Sequence, residues 1–221
     1  GELLTQITDL GSGIQRLLAK RILETGDQEE QLIGAIALEK VATKEVAPFA
    51  LALAQSALPD DVRVIAVRLL TLHEVARAAG PLEIILFGQK ISTGLQNQIV
   101  LFFSQTGNAQ VLAKATVAPM VEKAIRSLAA RTLAGFETEK AAQLLLETWK
   151  RTFVPTTRQA QANSHLLRAL ASMDEKILLT VVLAWLETET ALSRRNFIFE
   201  MISRADPVFP LEPPRTALAP E

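Results

Sequence analysis

Apolar positions recur along this chain in a short phrase that is written twice. Val62-Arg63-Val64-Ile65-Ala66-Val67-Arg68-Leu69-Leu70 is answered by Ile125-Arg126-Ser127-Leu128-Ala129-Ala130-Arg131-Thr132-Leu133. Both read apolar, Arg, x, apolar, Ala, Ala or Val, Arg, x, Leu. Looser copies start at Ile33, Leu95 and Ala162, so successive starts lie 29, 33, 30 and 37 residues apart. A period near 30 with helical patterning is the mark of stacked helical hairpins. The expected fold is all-α, a right-handed α-solenoid of about six antiparallel hairpins, each an A helix followed by a B helix.

Breakers and caps divide the chain accordingly. A first segment, residues 2–10, meets Gly11-Ser12-Gly13, read as a helix break, and a helix follows to about Glu24. Asp27 caps a helix to about Thr43, and Lys44 to Ala57 carries Pro48 in its first turn, where proline is tolerated. Leu58-Pro59-Asp60-Asp61 is a turn with an N-cap, and its helix is expected to run to about Ala79, stopped by Gly80-Pro81. A short helix over 82–90, a cap at Ser92 or Thr93, and an end at Thr106-Gly107-Asn108 make the third pair. The fourth pair divides near Pro119 and closes at Gly135. A helix from Glu137 to about Thr152 leads to a loop at Pro155-Thr156-Thr157. Asp174 then caps a helix to Leu186, and the last helix covers about 190–204. Residues 1–205 are thus expected as one repeat domain. The segment 206–221 holds five of the ten prolines and reads as an extended or disordered tail.

Helical geometry orients the repeated residues. At about 100° per residue, positions 0, +4 and +8 (Val62, Ala66, Leu70; Ile125, Ala129, Leu133) share one narrow arc, which faces the core. Position +6 points away, so Arg68, Arg131 and Arg168 are expected to project outward. Glu39 and Leu101 occupy the same position in the other repeats. Arg63 and Arg126, at position +1, lie on the flank beside the neighbouring helix.

The pattern from Pro59-Asp60-Asp61-Val62-Arg63 through Ala66 to Leu70 resembles a HEAT repeat, of the HEAT/armadillo-like superfamily. In that family a turn Asp and an early B-helix Arg form a ladder between stacked repeats. The resemblance implies that Asp60 or Asp61 and Arg63 take these roles, with Arg126 as the arginine of its own repeat and Glu122 standing where the turn Asp would be. Gly34 and Gln96 occupy the arginine position elsewhere, so the ladder is expected to be interrupted. The resemblance covers roughly residues 27–204 and concerns fold, since members of the superfamily bind very different things.

Composition adds exclusions. Hydrophobic residues make up 49% of the chain, mostly Ala and Leu, and there is no Tyr. Those are helix-favouring choices. The net charge of -1 provides no field to attract nucleic acid or an anionic membrane. No apolar run reaches the roughly 18 residues of a membrane span. The expectation is a soluble chain, with a cytoplasmic setting favoured over export. The chain starts at Gly rather than Met, so its start is read as processed or engineered, which leaves a removed signal peptide open. With no Cys, disulfides, Cys-ligated zinc and thiol catalysis are excluded.

Candidate chemistry is sparse, and no cofactor is expected. His73 and His165 lie far apart without the spacing that puts two ligands on one helical face. Gly11-Ser12-Gly13 lacks the third glycine and the preceding strand of a phosphate cradle. Glu29-Glu30 and Asp60-Asp61 suit helix starts, whereas Glu187/Glu189 lies at a helix end and is the one option for a paired acid and base. Phe102-Phe103, Trp149, Phe153, Trp185, Phe197 and Phe199 read first as core and second as a hydrophobic slot in the C-terminal half. Asn97, Asn163 and Asn196 fall at different offsets and do not form an armadillo-like peptide-reading ladder.

The functional expectation is a non-catalytic protein-binding scaffold whose B-helix face presents Arg68, Arg131 and Arg168 to a protein or peptide segment, acidic and hydrophobic in character. Two alternatives follow from the resemblance alone. One is a nucleic-acid-binding protein or DNA glycosylase, disfavoured by the balanced charge. The other is a lyase or lyase-associated subunit, as in phycobilin attachment.

Overall fold

Short capping signals decide where this Ala- and Leu-rich chain starts its helices. Asp27 Oδ1 accepts from the amides of Glu29 and Glu30 at the head of one helix, Ser92 Oγ accepts from Leu95 N, and Thr138 Oγ1 from Ala141 N. Asp174 Oδ1 takes Lys176 N in the same way. Each satisfies a donor that the first helical turn would otherwise leave open. The computed structural model describes residues 2–73, 75–153 and 164–205. Ala162, Asn163, Pro155-Thr156-Thr157, the segment 206–221 and the Phe197 side chain lie outside the described set.

Among the described residues there are twelve α-helices and no strand. They are α1 (Glu2–Glu24), α2 (Gln28–Val41), α3 (Ala47–Gln55), α4 (Asp60–Leu72), α5 (Ala79–Gly88) and α6 (Thr93–Gln105). The series continues with α7 (Ala109–Ala115), α8 (Lys123–Ala134), α9 (Glu139–Thr152), α10 (Ser164–Ala171), α11 (Glu175–Thr188) and α12 (Leu192–Ala205). One-turn 3-10 helices precede α3 at Lys44–Val46 and α5 at Ala76–Ala78.

Three sequence expectations need correction. Gly11-Ser12-Gly13 does not break the chain but lies inside α1. A mid-helix glycine costs only about 1 kcal/mol relative to alanine, which a long amphipathic helix absorbs. The helix after Pro59 ends at Leu72 rather than near Ala79, with His73 N bonded to Leu69 O and Val75 N to Leu70 O. Gly80-Pro81 is not a stop. It lies in the first turn of α5, where an amide has no intrahelical acceptor and proline loses nothing.

The chain divides into two compact units, Gly1–Val111 with Ala118–Ile125, and Leu112–Val117 with Arg126–Glu221. In the first, α1 packs on α2, α3 on α4 and α5 on α6. Like helices also meet: α2 packs on α4 and α4 on α6, while α1 packs on α3 and α3 on α5. The second unit has the same order, with α9 on α10, α9 on α11 and α10 on α12. Odd helices therefore touch odd and even touch even, which is the contact order of successive helical hairpins.

The core follows the predicted arc. Val62, Ala66 and Leu70 of α4 are buried, as are Ile125, Ala129 and Leu133 of α8. Ala66 and Ala129 are the small residues of that buried arc. Gly34 faces α1 closely, since a Cβ there would stand 2.8 Å from Ile22 Cγ1. Gly107, at φ +68°, turns the chain out of α6 in a left-handed conformation that glycine adopts without strain.

Candidate functional site

The +6 arginines point outward as the helical arc requires. Arg68, Arg131 and Arg168 are all exposed, on α4, α8 and α10. Their circumstances differ. Arg68 is engaged by Glu39 of α2, with Nη2 2.8 Å from Oε2 and Nε beside Oε1, a two-point fork between neighbouring even helices. Glu39 and Arg68 hold the same repeat position, so adjacent repeats neutralise one another there. Leu101, next in that row on α6, is 38% exposed. Arg131 and Arg168, both in the second unit, have no ion pair among the described residues.

Asp60 and Arg63 join the start of α4 to the segment that leads into α6. The Arg63 side chain is 7% exposed. Its Nη1 donates to Asp60 Oδ1 at 3.0 Å, its Nε to Ala54 O at 3.1 Å, and its Nη2 to Gln89 Oε1 at 3.1 Å. The other Asp60 oxygen accepts from Ser92 N. Every donor group of the buried guanidinium thus meets an acceptor, the condition under which a buried charge is tolerated. Asp61 is exposed, so of the two carboxylates left open by the sequence it is Asp60 that faces Arg63. Arg126 is half-buried at the equivalent position of α8.

Gln96, where the arginine is missing, makes links of its own. Gln96 is buried, and its Nε2 donates to Met120 O at 3.1 Å and Ile91 O at 3.4 Å, while Oε1 accepts from Glu122 N at 2.8 Å. One neutral amide supplies both the donor and the acceptor that Arg63 and Asp60 divide between them. It reaches the segment before α8 as Asp60 reaches the segment before α6. Glu122 takes part through its backbone amide rather than as a turn carboxylate. At Gly34 the link is replaced by direct contact with Ile22, and Gln31, one turn earlier, donates to Thr25 O at 2.8 Å.

The Glu187/Glu189 pair separates on folding. Glu187 is exposed, whereas the Glu189 side chain is 2% exposed and clasped by cations. Arg194 Nε and Nη2 donate to its two oxygens at 3.0 and 2.9 Å, Ala191 N donates at 2.8 Å, and Lys150 Nζ lies 3.7 Å away. The Arg194 hydrogen bonds hold the carboxyl below its ordinary range, against the opposing effect of burial. A proton donor at neutral pH needs the reverse shift, so Glu189 is a joint between α9, α11 and α12 rather than half of an acid–base pair. Nothing in its sequence context distinguishes it from an ordinary exposed glutamate.

Both histidines lie near helix ends. His165 Nε2 lies 3.0 Å from Thr116 O and meets the end of α7, and His73 closes α4. Among the described residues no group of three His, Cys, Asp or Glu could hold a metal ion. No described helix is long and apolar enough to cross a membrane.

The aromatic residues divide between core and slot. Phe102 and Phe103 are fully buried edge to face at 5.4 Å, and Trp149 is buried with Trp185 6.2 Å away. Trp185 also borders an open cleft of about 270 Å³ between α9 and α11, with Leu146, Val181 and Ala184 below and Gln143, Glu147 and Thr188 at the edge. A second cleft, of about 290 Å³, lies between α1 and α3. Both open between successive odd helices, a layer to which the repeated arginines gave no clue. Comparison of the chain with protein-family models and with curated proteins finds no match.

Proposed function

We propose that this chain is a HEAT-like, right-handed α-solenoid of about six hairpins that serves as a non-catalytic protein-binding scaffold. Its partner is an acidic, partly hydrophobic protein segment, met by the face of the even-numbered helices. The observation that carries the reading is the contact order within each unit, odd helix on odd and even on even. Such stacking repeats equivalent surface positions about every 10 Å, which suits an extended or helical segment.

Arg131 and Arg168 are the charges available for the contact. Arg68 contributes only if the partner displaces Glu39, and an exposed pair of this kind is held by no more than about 1 kcal/mol. Replacing Arg68, Arg131 and Arg168 together by Glu tests the assignment. All three are exposed, so the melting temperature is expected to stay within a few degrees of the parent. A partner captured by the intact chain and identified by mass spectrometry is expected to be lost from the triple variant. A well-folded triple variant that keeps every partner of the parent rules the arginine face out.

A further inference from the structure

We infer that the cleft between α1 and α3 is a second docking site, on the odd-helix layer, for a helical peptide that offers one or two large apolar side chains flanked by carboxylates. The floor is apolar: Ala19 of α1 is buried, Phe49 of α3 is half-buried, and Leu23 and Ala52 are exposed beside them. Leu23 leaves 47% of its surface to solvent. Leu23 and Ala52 thus offer apolar surface beside the hollow that a partner's side chain can cover.

The rim carries Arg16, Lys20 and Glu24, two cations against one carboxylate, and this net positive edge favours an acidic ligand. Arg16 and Lys20 stand one helical turn apart on the cleft side of α1. Arg16 has no ion pair among the described residues. Lys20 meets Glu24 at 3.7 Å with both side chains about two-thirds exposed, an i,i+4 pair too solvated to consume its charge. At about 290 Å³ the cleft is at the lower limit for enclosing a small molecule and suited to anchor side chains from a larger one. A helix laid along it places residues four apart against the floor and intervening carboxylates against Arg16 and Lys20, the helix-in-groove mode of recognition. The site does not rest on the arginine face proposed above and involves none of its residues.

The test uses the full chain and a labelled, end-capped peptide of about 14 residues, with Leu and Phe four apart and Glu on either side, read by fluorescence anisotropy. A matched peptide with Lys in place of Glu is the control. Saturable binding of the Glu peptide is expected, with little binding of the Lys peptide. Ala52→Trp, which fills the cleft, and the double change Arg16→Glu with Lys20→Glu are each expected to weaken it roughly tenfold at unchanged melting, and added salt weakens it as well. If Ala52→Trp lowers the melting temperature, Leu23→Asp takes its place as the floor variant. No saturable binding up to about 1 mM, or equal binding by the floor variants, overturns the inference. So does loss of binding in the Arg68/Arg131/Arg168 variant with the cleft variants unaffected, which assigns the peptide to the even-helix face instead.

Discussion

Single residues show that the same chemical type does opposite work in different places. Gly34 stands where a Cβ would lie 2.8 Å from Ile22 Cγ1, on a buried, β-branched side chain that has little room to turn, whereas a Cβ at Gly11 or Gly13 meets nothing within 4 Å. Gly34→Ala is therefore expected to lose about 1–3 kcal/mol through overpacking, less the helix propensity it gains, while Gly11→Ala and Gly13→Ala gain up to about 1 kcal/mol each. Chemical denaturation of the three variants checks the contrast. Glu189 illustrates charge in the same way. Its depressed carboxyl stabilises the fold fully above the ordinary carboxylate range, and the contribution disappears as pH falls through the lowered folded value. Glu189→Gln is expected to melt well below the parent near pH 7 and to converge with it as pH is lowered into the acid range, through the depressed folded value at which the parent carboxyl is protonated. Parallel melting curves for parent and variant across that range would remove the clasp from the acid response.

Elements were legible to the extent that local signals mark them. The caps at Asp27, Ser92 and Asp174 and the apolar arc of α4 and α8 depend on neighbours a turn away, so the sequence shows them directly. The end of α4 and the start of α5 differ from the expectation because proline and glycine within a first turn look the same in sequence as proline and glycine after a last one. Ala66 and Ala129 are the sharpest test of the arc. Each is buried at position +4, and arginine there would be an uncompensated buried charge, costing about 3–5 kcal/mol. Ala66→Arg and Ala129→Arg are expected to lower the melting temperature severely. The exposed neighbours Arg68 and Arg131 are expected to tolerate exchange, and circular dichroism melts compare the two sets.

At the scale of the whole chain, order is built from links between near neighbours in sequence. Arg63 to Gln89, Asp60 to Ser92, Gln96 to Glu122 and Glu137 to Asp174 each span one repeat length. Arrays of this kind gain stability from nearest neighbours, so shortening them has local consequences. A fragment of residues 2–125 keeps Met120 and Glu122, the partners of Gln96. It is expected to melt cooperatively. A fragment of residues 2–111 loses the bonds to Met120 O and Glu122 N and leaves the Gln96 amide only Ile91 O, costing about 1–3 kcal/mol. Equal stability of the two fragments in urea would show that the link contributes nothing.

The sequence by itself determined the helical class, the repeat period and which residues face inward, because each rests on spacing within a helix, and a period of 3.6 residues is set by the backbone. Tertiary structure decided the rest. The sequence offered Asp60 and Asp61 as equals, and only the approach of Arg63 and the Ser92 amide distinguishes Asp60. Gln96 looked like a gap in the ladder, yet an amide can donate and accept at once when a turn of the next repeat lies within reach. Glu189 acquired its partners from α9 and α12, and the clefts exist only where odd helices meet. These features depend on which groups folding brings within about 3 Å of one another, a distance that no pattern along the chain encodes.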